Sequence, residues 1–428
     1  MLSRSEISEA VQEFLEYSMH DSERIRHEQY EIYQWADDGR MSSALTVSIP
    51  SVIGWSQTPL EGLDKTETLI KKLVSDEDIP LIDSRSGATK AFSNLIREIR
   101  IESNRGGTDE LRNDPDFYDA IHSRDVIIEQ IAPILGLEFE VPVRLTQNLK
   151  IRHLSDFEKE IILNATQLGG GSVALQRAIK AGTLTHGAVF NNSTTTENGW
   201  EGGISLFAEI GEEFRDEFDD LKIALRLFCT EGFQMSVQHW LDRTFYPTVI
   251  SAQESHGASA YNSFADPTSV SDTEQLVKYY RLVSEMSEDE GIRVATNRLE
   301  SSYRKVSNAD GVVDAVIGIE AALSSGRSGA FREVRRRAAV LCGEKATYSE
   351  LGRFQNLRNA TVHGEETQVD STDLNQVRAL LTTILRRIIQ TTIERDIPRE
   401  EMIEQMDAAI TKSIEDKFDE LVSEFEST

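Results

Sequence analysis

The sequence predicts a mostly α-helical protein with a smaller α+β portion. Apolar residues recur at helical spacing through most of the last third of the 428-residue chain, with only short polar or glycine-bearing breaks. Strand-like alternation is confined to short stretches, chiefly around Ala44 to Ile53 and from Phe139 to Arg152. We therefore expect four regions: a helical N-terminal region over 1–137, a mixed α/β middle region over 138–255, a helical bundle over 272–397 and a C-terminal amphipathic helix over 398–428.

The first two regions are predicted from periodicity alone. Helical spacing over the first 35 residues, including Ile7, Val11 and Ile32, predicts a long opening helix. In the middle region, FEVPVRLTQNLKIR predicts two strands joined by a turn. Five further helices are expected: near Lys65 to Leu73, Thr89 to Ile101 and Tyr118 to Leu135, from Asp156 to Leu168 before three glycines, and from Glu212 to Phe228.

The last two regions are a series of helical patterns. From residue 272 to 395 the pattern is broken only at SEDEG, SNADG, SSGRSG, GEKA and HGEETQ, which are typical of the short connections in a bundle. After Pro398, seven apolar residues share one helical face: Ile403, Met406, Ile410, Ile414, Phe418, Leu421 and Phe425. Such a face must be covered, either by the bundle or by a second chain.

The charge balance of the chain is strongly acidic. It has 45 basic and 73 acidic residues, a formal net charge of −28 at pH 7, and only 13 of the basic residues are lysines. A surface rich in carboxylates repels itself at low salt, and screening by salt relieves that repulsion. The composition fits a salt-adapted source or an ordinary acidic protein.

Several function classes find no support in the sequence. No run reaches the roughly 18 apolar residues of a membrane helix, and the N-terminus carries charges where a signal peptide would be apolar. We therefore expect a cytoplasmic protein without a membrane segment. Cys229 and Cys342 lie far apart in apolar patterns, which favours buried free thiols over a disulfide. No metal-ligand spacing or phosphate-binding loop occurs, so we expect no metal and no cofactor.

One bundle segment, ELGRFQNLRNATVHGEE, combines residue types suited to phosphodiester chemistry. Asn359 and His363 are four residues apart and share a helical face, and Arg358 can meet His363 near the helix end, before the stop at Gly364. Histidine can transfer a proton, and arginine carries a fixed charge with a fork that fits phosphate oxygens. The alternative is an ordinary surface pair or a helix cap.

The pattern R-N-x-x-x-H at the end of a bundle helix resembles the Rx4–6H motif of HEPN proteins. Two upstream segments, DAVIGIEAALSSG from Asp314 to Gly326 and EVRRRAAVLCG from Glu333 to Gly343, are similar to the Apea-like branch of that superfamily. The resemblance covers about Asp272 to Arg395, under a third of the chain. It implies a dimer-forming helical bundle whose motif residues cut RNA, often in a toxin or an antiviral effector.

Glu320 is a further candidate because of its surroundings. It falls in the middle of an apolar helical face made by Val313, Val316, Ile317 and Leu323, where an unpaired carboxylate would be costly. Arg358 is one candidate partner, which would make Glu320 an orienting residue of the site. A structural salt bridge with another arginine of the bundle is the alternative.

Basic residues are concentrated just before the motif. Residues 326–363 include eight basic and three acidic residues, a local charge of 8 − 3 = +5 in an acidic chain. Three of these basic residues share one helical face and can follow an RNA backbone: Arg332, Arg335 and Arg336. The alternative is a solvated stripe in which Glu333 pairs with Arg337, four residues further on.

Two functions of different classes are consistent with these patterns. The first is a metal-independent, homodimeric endoribonuclease that uses the 2′-hydroxyl of RNA, with the N-terminal residues sensing or regulating, through a protein partner that the sequence does not identify. The second is a non-catalytic helical module that binds RNA or a protein partner and dimerises through the bundle.

If the acidic surface is an adaptation to salt, the melting temperature should rise between low-salt buffer and molar KCl. We expect a gain of about 3 °C or more, equivalent to about 1 kcal/mol, because screening weakens the repulsion among the excess carboxylates. Calorimetry in matched buffers measures the change. An unchanged or lower melting temperature at molar KCl would contradict salt adaptation.

Overall fold

A computed structural model describes most of the chain as two compact units. The described residues are 2–20, 26–37, 40–51, 62–76, 79, 82, 84–104, 121–122, 125–168, 173–195, 217–229, 234–235, 238–242, 248–253, 267–286, 289–305, 307–324, 331–364 and 368–426. Unit 1 contains those up to 195 with 235, 238–242, 248–253 and 267–270, and unit 2 contains 217–229, 234 and 271–426. The fold class is mostly α with a smaller α+β portion, as predicted.

Unit 1 begins with three helices and a hairpin: α1 (Arg4–His20), β1 (Arg26–Trp35), β2 (Met41–Ser51), α2 (Asp64–Ser75) and α3 (Arg85–Asn104). The predicted opening helix over 35 residues is wrong beyond α1, because β1 pairs antiparallel with β2. Ile32 belongs to this hairpin, where it packs with Val47, Ile49 and Ile101. The strand predicted around Ala44 and the helices near Lys65 and Thr89 are confirmed.

The main sheet of unit 1 has the strand order β10-β9-β3-β7-β6-β5, with β8 paired to β3 and a separate parallel pair of β4 and β11. Its strands are β3 (Asp125–Leu135), β4 (Leu137–Phe139), β5 (Val143–Arg144), β6 (Leu149–His153), β7 (His186–Thr195), β8 (Gln234–Met235), β9 (Gln238–Asp242), β10 (Thr248–Gln253) and β11 (Thr268–Val270). The strand pair predicted from Phe139 to Arg152 is confirmed by β5 and β6.

The helix predicted from Tyr118 to Leu135 is wrong from Asp125 onward, which is strand β3; of the residues before it, only 121–122 are described, and they are helical. β3 lies between β7 and β9 in the sheet, and all of its residues from Glu129 to Leu135 are buried. A strand buried on both faces is a continuous apolar run, which periodicity cannot distinguish from a buried helix.

Two helices follow the β5 and β6 strands: α4 (Asp156–Leu168) and α5 (Val173–Lys180). The bounds of α4 are those predicted. Ser155 and Glu158 form a reciprocal cap at its start, since each backbone N–H donates to the other's side chain. Further along, the side-chain amide of Asn164 accepts from the backbone N–H of Glu31 and donates to its carbonyl, both at 2.9 Å. Helix α4 therefore provides hydrogen-bond partners for the backbone of strand β1.

His186 is a buried histidine on β7, with 1% of its surface exposed. Its ring lies 3.9 Å, centroid to centroid, from that of His153, its register partner on β6, and against the edge of Phe139. Burial lowers the pKa of His186 to about 4, and the positive charges of His153 and Lys159 add to that effect. The ring is therefore held neutral at neutral pH.

Unit 2 is the predicted bundle, with an additional helix from the predicted middle region. Its helices are α6 (217–229), α7 (Thr273–Glu285), α8 (Glu290–Arg304), α9 (Asn308–Leu323), α10 (Phe331–Cys342), α11 (Lys345–Val362), α12 (Ser371–Arg395) and α13 (Arg399–Glu426). The predicted breaks at SEDEG and GEKA coincide with helix ends, SNADG contributes the cap and first turn of α9, and most of SSGRSG and half of HGEETQ lie outside the described residues. Side chains of Asp272, Asp289, Ser307 and Asp370 cap the starts of α7, α8, α9 and α12.

Helix α9 packs closely against α8 and α12 because two glycines face them. A Cβ at Gly318 would lie 2.7 Å from Leu381 and 3.2 Å from the Ala295 carbonyl, and one at Gly311 would lie 2.8 Å from Leu374. A Cβ at either position would require a leucine side chain of α12 to shift. Glycine at these positions therefore allows the backbone of α9 to approach its neighbours without displacing those side chains.

Helices α6 and α13 complete the bundle. Arg226 of α6 forms an ion pair with Glu300 of α8 at 3.0 Å, and Arg386 of α12 donates to the Phe228 carbonyl at 3.1 Å. Of the predicted apolar face of α13, Ile403 and Met406 are buried, which confirms packing on the bundle for this part. The predicted face from Ile414 onward lies outside the residues whose side chains are described.

The two cysteines are free, as predicted: Cys342 is buried and Cys229 is half-buried. Burial raises the pKa of the Cys229 thiol to about 12. None of the helices in the described ranges is both long enough and apolar enough to cross a membrane.

The neutral, buried His186 should make unit 1 less stable in mild acid. In the unfolded chain the His186 side chain binds a proton near pH 6.5, whereas in the folded chain it does so only near pH 4. The free energy of unfolding therefore decreases as the pH falls from 6.5 towards 4. Replacing His186 by Phe should remove about 2 kcal/mol of the difference between pH 7.5 and pH 5, measured by urea unfolding. His153→Gln is the control. It should remove a smaller part of the pH dependence, because the charge of His153 lowers the pKa of His186 less than burial does. An equal pH dependence in wild type and His186→Phe would contradict the assignment.

Candidate active site

The three motif residues lie at the C-terminal end of α11. Thr347, Leu351 and Phe354 bury the first part of this helix, at spacings of four and three residues that place them on one face. From residue 355 to 361 the side chains are exposed or half-buried, and none is fully buried. The packing of the first part therefore holds an accessible helix end on the bundle.

Arg358 is held between a carboxylate and an amide. Its Nη2 lies 3.9 Å from Oε2 of Glu320 on α9, and its Nη1 donates to Oδ1 of Asn359 at 2.9 Å. The side chains of Arg358 and Glu320 are each 32% exposed. Arg358 is thus the ion-pair partner of Glu320, as one of the two sequence-based alternatives expected. A half-exposed pair at 3.9 Å contributes little to the stability of the fold by itself.

The Arg358 guanidinium retains donors that the described side chains do not use. Its Nε is buried and has no hydrogen-bond partner among the described residues. Burial raises the pKa of the Glu320 carboxyl, and the positive charge of Arg358 acts in the opposite direction. The pair therefore supplies an oriented, partly exposed cation beside a carboxylate whose burial disfavours its charge.

His363 is the C-terminal cap of α11, and its side chain is exposed. Its backbone N–H donates to the Asn359 carbonyl at 3.0 Å, and Gly364 follows with a φ of +74°, which ends the helix as predicted. No hydrogen bond or ion pair between described residues joins His363 to Arg358. The two side chains therefore share one helix end without a polar interaction between them among the described contacts.

The three arginines of the predicted RNA-binding stripe differ in their surroundings. Arg332 is exposed and Arg336 is half-buried on α10. Arg335 lies across α11, where its Nε donates to the Tyr348 carbonyl at 2.8 Å and its guanidinium stacks 3.8 Å from the Tyr348 ring centre. Arg335 therefore joins two helices, and Arg332 and Arg336 are the members of the stripe without such a contact.

The alternative pairing of Glu333 with Arg337 is wrong. Arg337 is 4% exposed, and Asp407 of α13 accepts from its Nε and Nη2 at 2.8 and 2.7 Å. Its Nη1 donates to the Leu323 carbonyl, at the end of α9, at 2.7 Å. The sequence offered Arg337 only as a partner of Glu333, although its position on the apolar face of α10, with Val334 and Ala338, is a usable signal of burial.

Arg399, the first residue of α13, binds the same end of α9. It is 8% exposed, and its Nη1 donates to the carbonyls of Ala322 and Ser324, at 3.2 and 2.7 Å. Asp289 accepts from its Nε at 2.8 Å, which provides the buried cation with a counter-charge. Glu320 therefore lies on a helix end that two buried arginines hold in place.

No known protein family matches the chain, and neither a characterised protein nor a solved structure matches it. Over the described part of the chain, no three histidine, cysteine, aspartate or glutamate side chains are grouped so that they could hold a metal ion.

Replacing Glu320 by Gln should leave stability at pH 7 unchanged or slightly higher, within about 1 kcal/mol. Its raised pKa means that the stability associated with its protonated form is present in acid and lost as the pH rises, so an ionised Glu320 costs stability at pH 7. Urea unfolding measures the effect. Asp289→Asn, which removes the charge beside buried Arg399, is the contrasting control and should cost about 3 kcal/mol. A comparable loss in Glu320→Gln would identify a structural salt bridge instead.

Proposed function

We propose that this chain is a metal-independent endoribonuclease of the HEPN type. The observation that carries the proposal is the Arg358 guanidinium, which is 32% exposed and lies between Glu320 and Asn359 on an accessible helix end, with Nη2 at 3.9 Å from Glu320, too far for a hydrogen bond. An oriented, partly exposed guanidinium can bind a phosphate, and the exposed His363 on the same helix end can move a proton. A surface pair or helix cap would require none of this arrangement.

The proposed reaction uses the 2′-hydroxyl of RNA as the nucleophile. Its oxygen forms a bond to the adjacent phosphorus, and the bond from phosphorus to the 5′-oxygen breaks. One proton leaves the 2′-hydroxyl and another reaches the departing 5′-oxygen, while negative charge increases on the non-bridging oxygens. His363 moves a proton in this scheme, Arg358 stabilises the developing charge, and Asn359 orients the Arg358 guanidinium.

A second copy of the chain is part of this proposal. Because one proton must be removed and another delivered, a cleft with two motifs provides the two proton carriers that a single exposed His363 does not. The resemblance to HEPN proteins implies such a homodimer. We further propose that it acts on RNA in the cytoplasm, as a toxin or an antiviral effector.

The RNA strand would extend from the motif along α10. Arg332 and Arg336 lie on this helix, which packs against α11, and in a stretch with a local charge of +5, from 8 − 3, within a strongly acidic chain. They are proposed to bind backbone phosphates and not to take part in the chemical step. Arg335 contributes to the same surface mainly through its contact with Tyr348.

A non-catalytic module that binds RNA or a protein is the second candidate. It is favoured by one observation: among the described contacts, none joins Arg358 and His363 within one chain. Such a module would use the bundle to dimerise and would need no proton transfer. Wild type and His363→Ala would then behave alike when expressed in a host cell and scored for growth and RNA integrity.

The purified protein should cut RNA in EDTA, leave 2′,3′-cyclic phosphate ends and spare DNA, which lacks the 2′-hydroxyl. His363→Ala should lower the cleavage rate by about 10²–10⁴-fold, because a proton-transfer group is lost. End analysis by mass spectrometry and single-turnover kinetics measure both effects. Loss of cleavage in EDTA with recovery in Mg²⁺ or Mn²⁺, or efficient cutting of DNA, contradicts the mechanism.

Matched variants on α11 separate the site from general charge effects. Arg358→Ala should abolish most of the activity, whereas Arg353→Ala removes an exposed arginine of the same helix that pairs with Asp373 outside the site. Asn359→Ala can likewise be compared with Asn356→Ala at an exposed position. Equal losses in both members of a pair would indicate damage to the helix and not to a site.

A further inference from the structure

We propose that the C-terminal helix α13 positions the candidate site, because its contacts with the end of α9 determine where Glu320 stands. Arg337, Arg399 and Asp407 are then positioning residues. The inference rests on the proposed function only in taking Arg358 to act on the substrate. The mechanical link between the helices is a property of the bundle alone.

The first step is that the carbonyl groups at the end of α9 are bonded by side chains. The last four carbonyls of an α-helix have no partner within the helix. Here the carbonyls of Ala322, Leu323 and Ser324 accept from buried arginines, and that of Glu320 accepts from the Ser324 hydroxyl. The last turn of α9, which begins at Glu320, is therefore held by arginines from α10 and α13 and by its own cap residue, Ser324.

The second step is that α13 supplies or orients all of these arginine donors. Arg399 is the first residue of α13, and Arg337 is aligned by Asp407 of α13 through two hydrogen bonds. Arg399 also fills the space beside Gly291 on α8, where a Cβ would lie 2.5 Å from its Cζ. A displacement of α13 must move these contacts together.

The third step leads from Glu320 to Arg358. Among the described residues, the hydrogen-bond and ion-pair partners of the Arg358 guanidinium are Glu320 and Asn359, and Asn359 belongs to the same helix as Arg358. Glu320 is thus its polar partner from another helix. If the end of α9 loosens, Glu320 moves and Arg358 loses the orientation on which phosphate binding in the transition state depends.

Hydrogen exchange tests this link without any assumption about activity. In Asp407→Ala, deuterium uptake should rise in peptides covering 316–324 on α9 and 355–363 on α11. Glu404→Ala removes an exposed carboxylate from the same helix and should match wild type in both peptides. If Asp407→Ala does not fold, Asp407→Asn keeps the shape and one acceptor and serves instead. Wild-type uptake in either peptide overturns the inference.

Cleavage kinetics test the consequence for the site. We expect kcat of Asp407→Ala to fall about tenfold or more with KM within about twofold, recovery in Asp407→Glu, and wild-type values in Glu404→Ala. A wild-type kcat in Asp407→Ala overturns the positioning role while the proposed function stands. If wild type does not cleave RNA, the proposed function fails, and the exchange experiment still decides the link between α13 and Arg358.

Discussion

Two buried arginines bind the carbonyl groups at the end of α9, and the geometry around the candidate site depends on them. A buried carbonyl without a partner costs about 1–3 kcal/mol, and the end of a helix exposes several. One guanidinium can donate to two carbonyls and a carboxylate at once, as Arg399 does with Ala322, Ser324 and Asp289. Lysine lacks this planar set of donors. Satisfying one helix end therefore joins α8, α9, α10 and α13 at a single place.

The candidate site differs from this helix end in how fully its polar groups are bonded. Arg337 and Arg399 use their donors on carbonyls and carboxylates, whereas Nε of Arg358 is buried without a partner in the described part of the chain. Glu320 keeps a raised pKa because Arg358 only partly offsets its burial. Incompletely satisfied polar groups on a well-packed scaffold are typical of functional sites, where stability is given up for binding.

Unit 1 shows why periodicity distinguishes poorly between a buried strand and a helix. β3 contains apolar residues at consecutive positions because both faces of the sheet are buried there, and the alternation expected of a half-exposed strand is lost. In β1, Ile32 packs towards α3 while the backbone N–H of Tyr33, the next residue, donates to Glu160 of α4 at 3.0 Å. The partners that make these segments strands are remote in sequence, and a local pattern does not contain them.

The sequence by itself determined the helices of the bundle, their breaks and the grouping of Arg358, Asn359 and His363 at one helix end. These features depend on spacing and caps within a few residues, such as the stop at Gly364. Only the tertiary structure decided that Arg337 binds Asp407, 70 residues away, and that Arg399 binds the Ala322 carbonyl, 77 residues away. It also decided that Arg335 contacts Tyr348 on α11, whereas no such contact is described for Arg332 and Arg336. Side-chain partners at such distances follow from how helices pack, because each arginine is within reach of many carboxylates until the fold selects one.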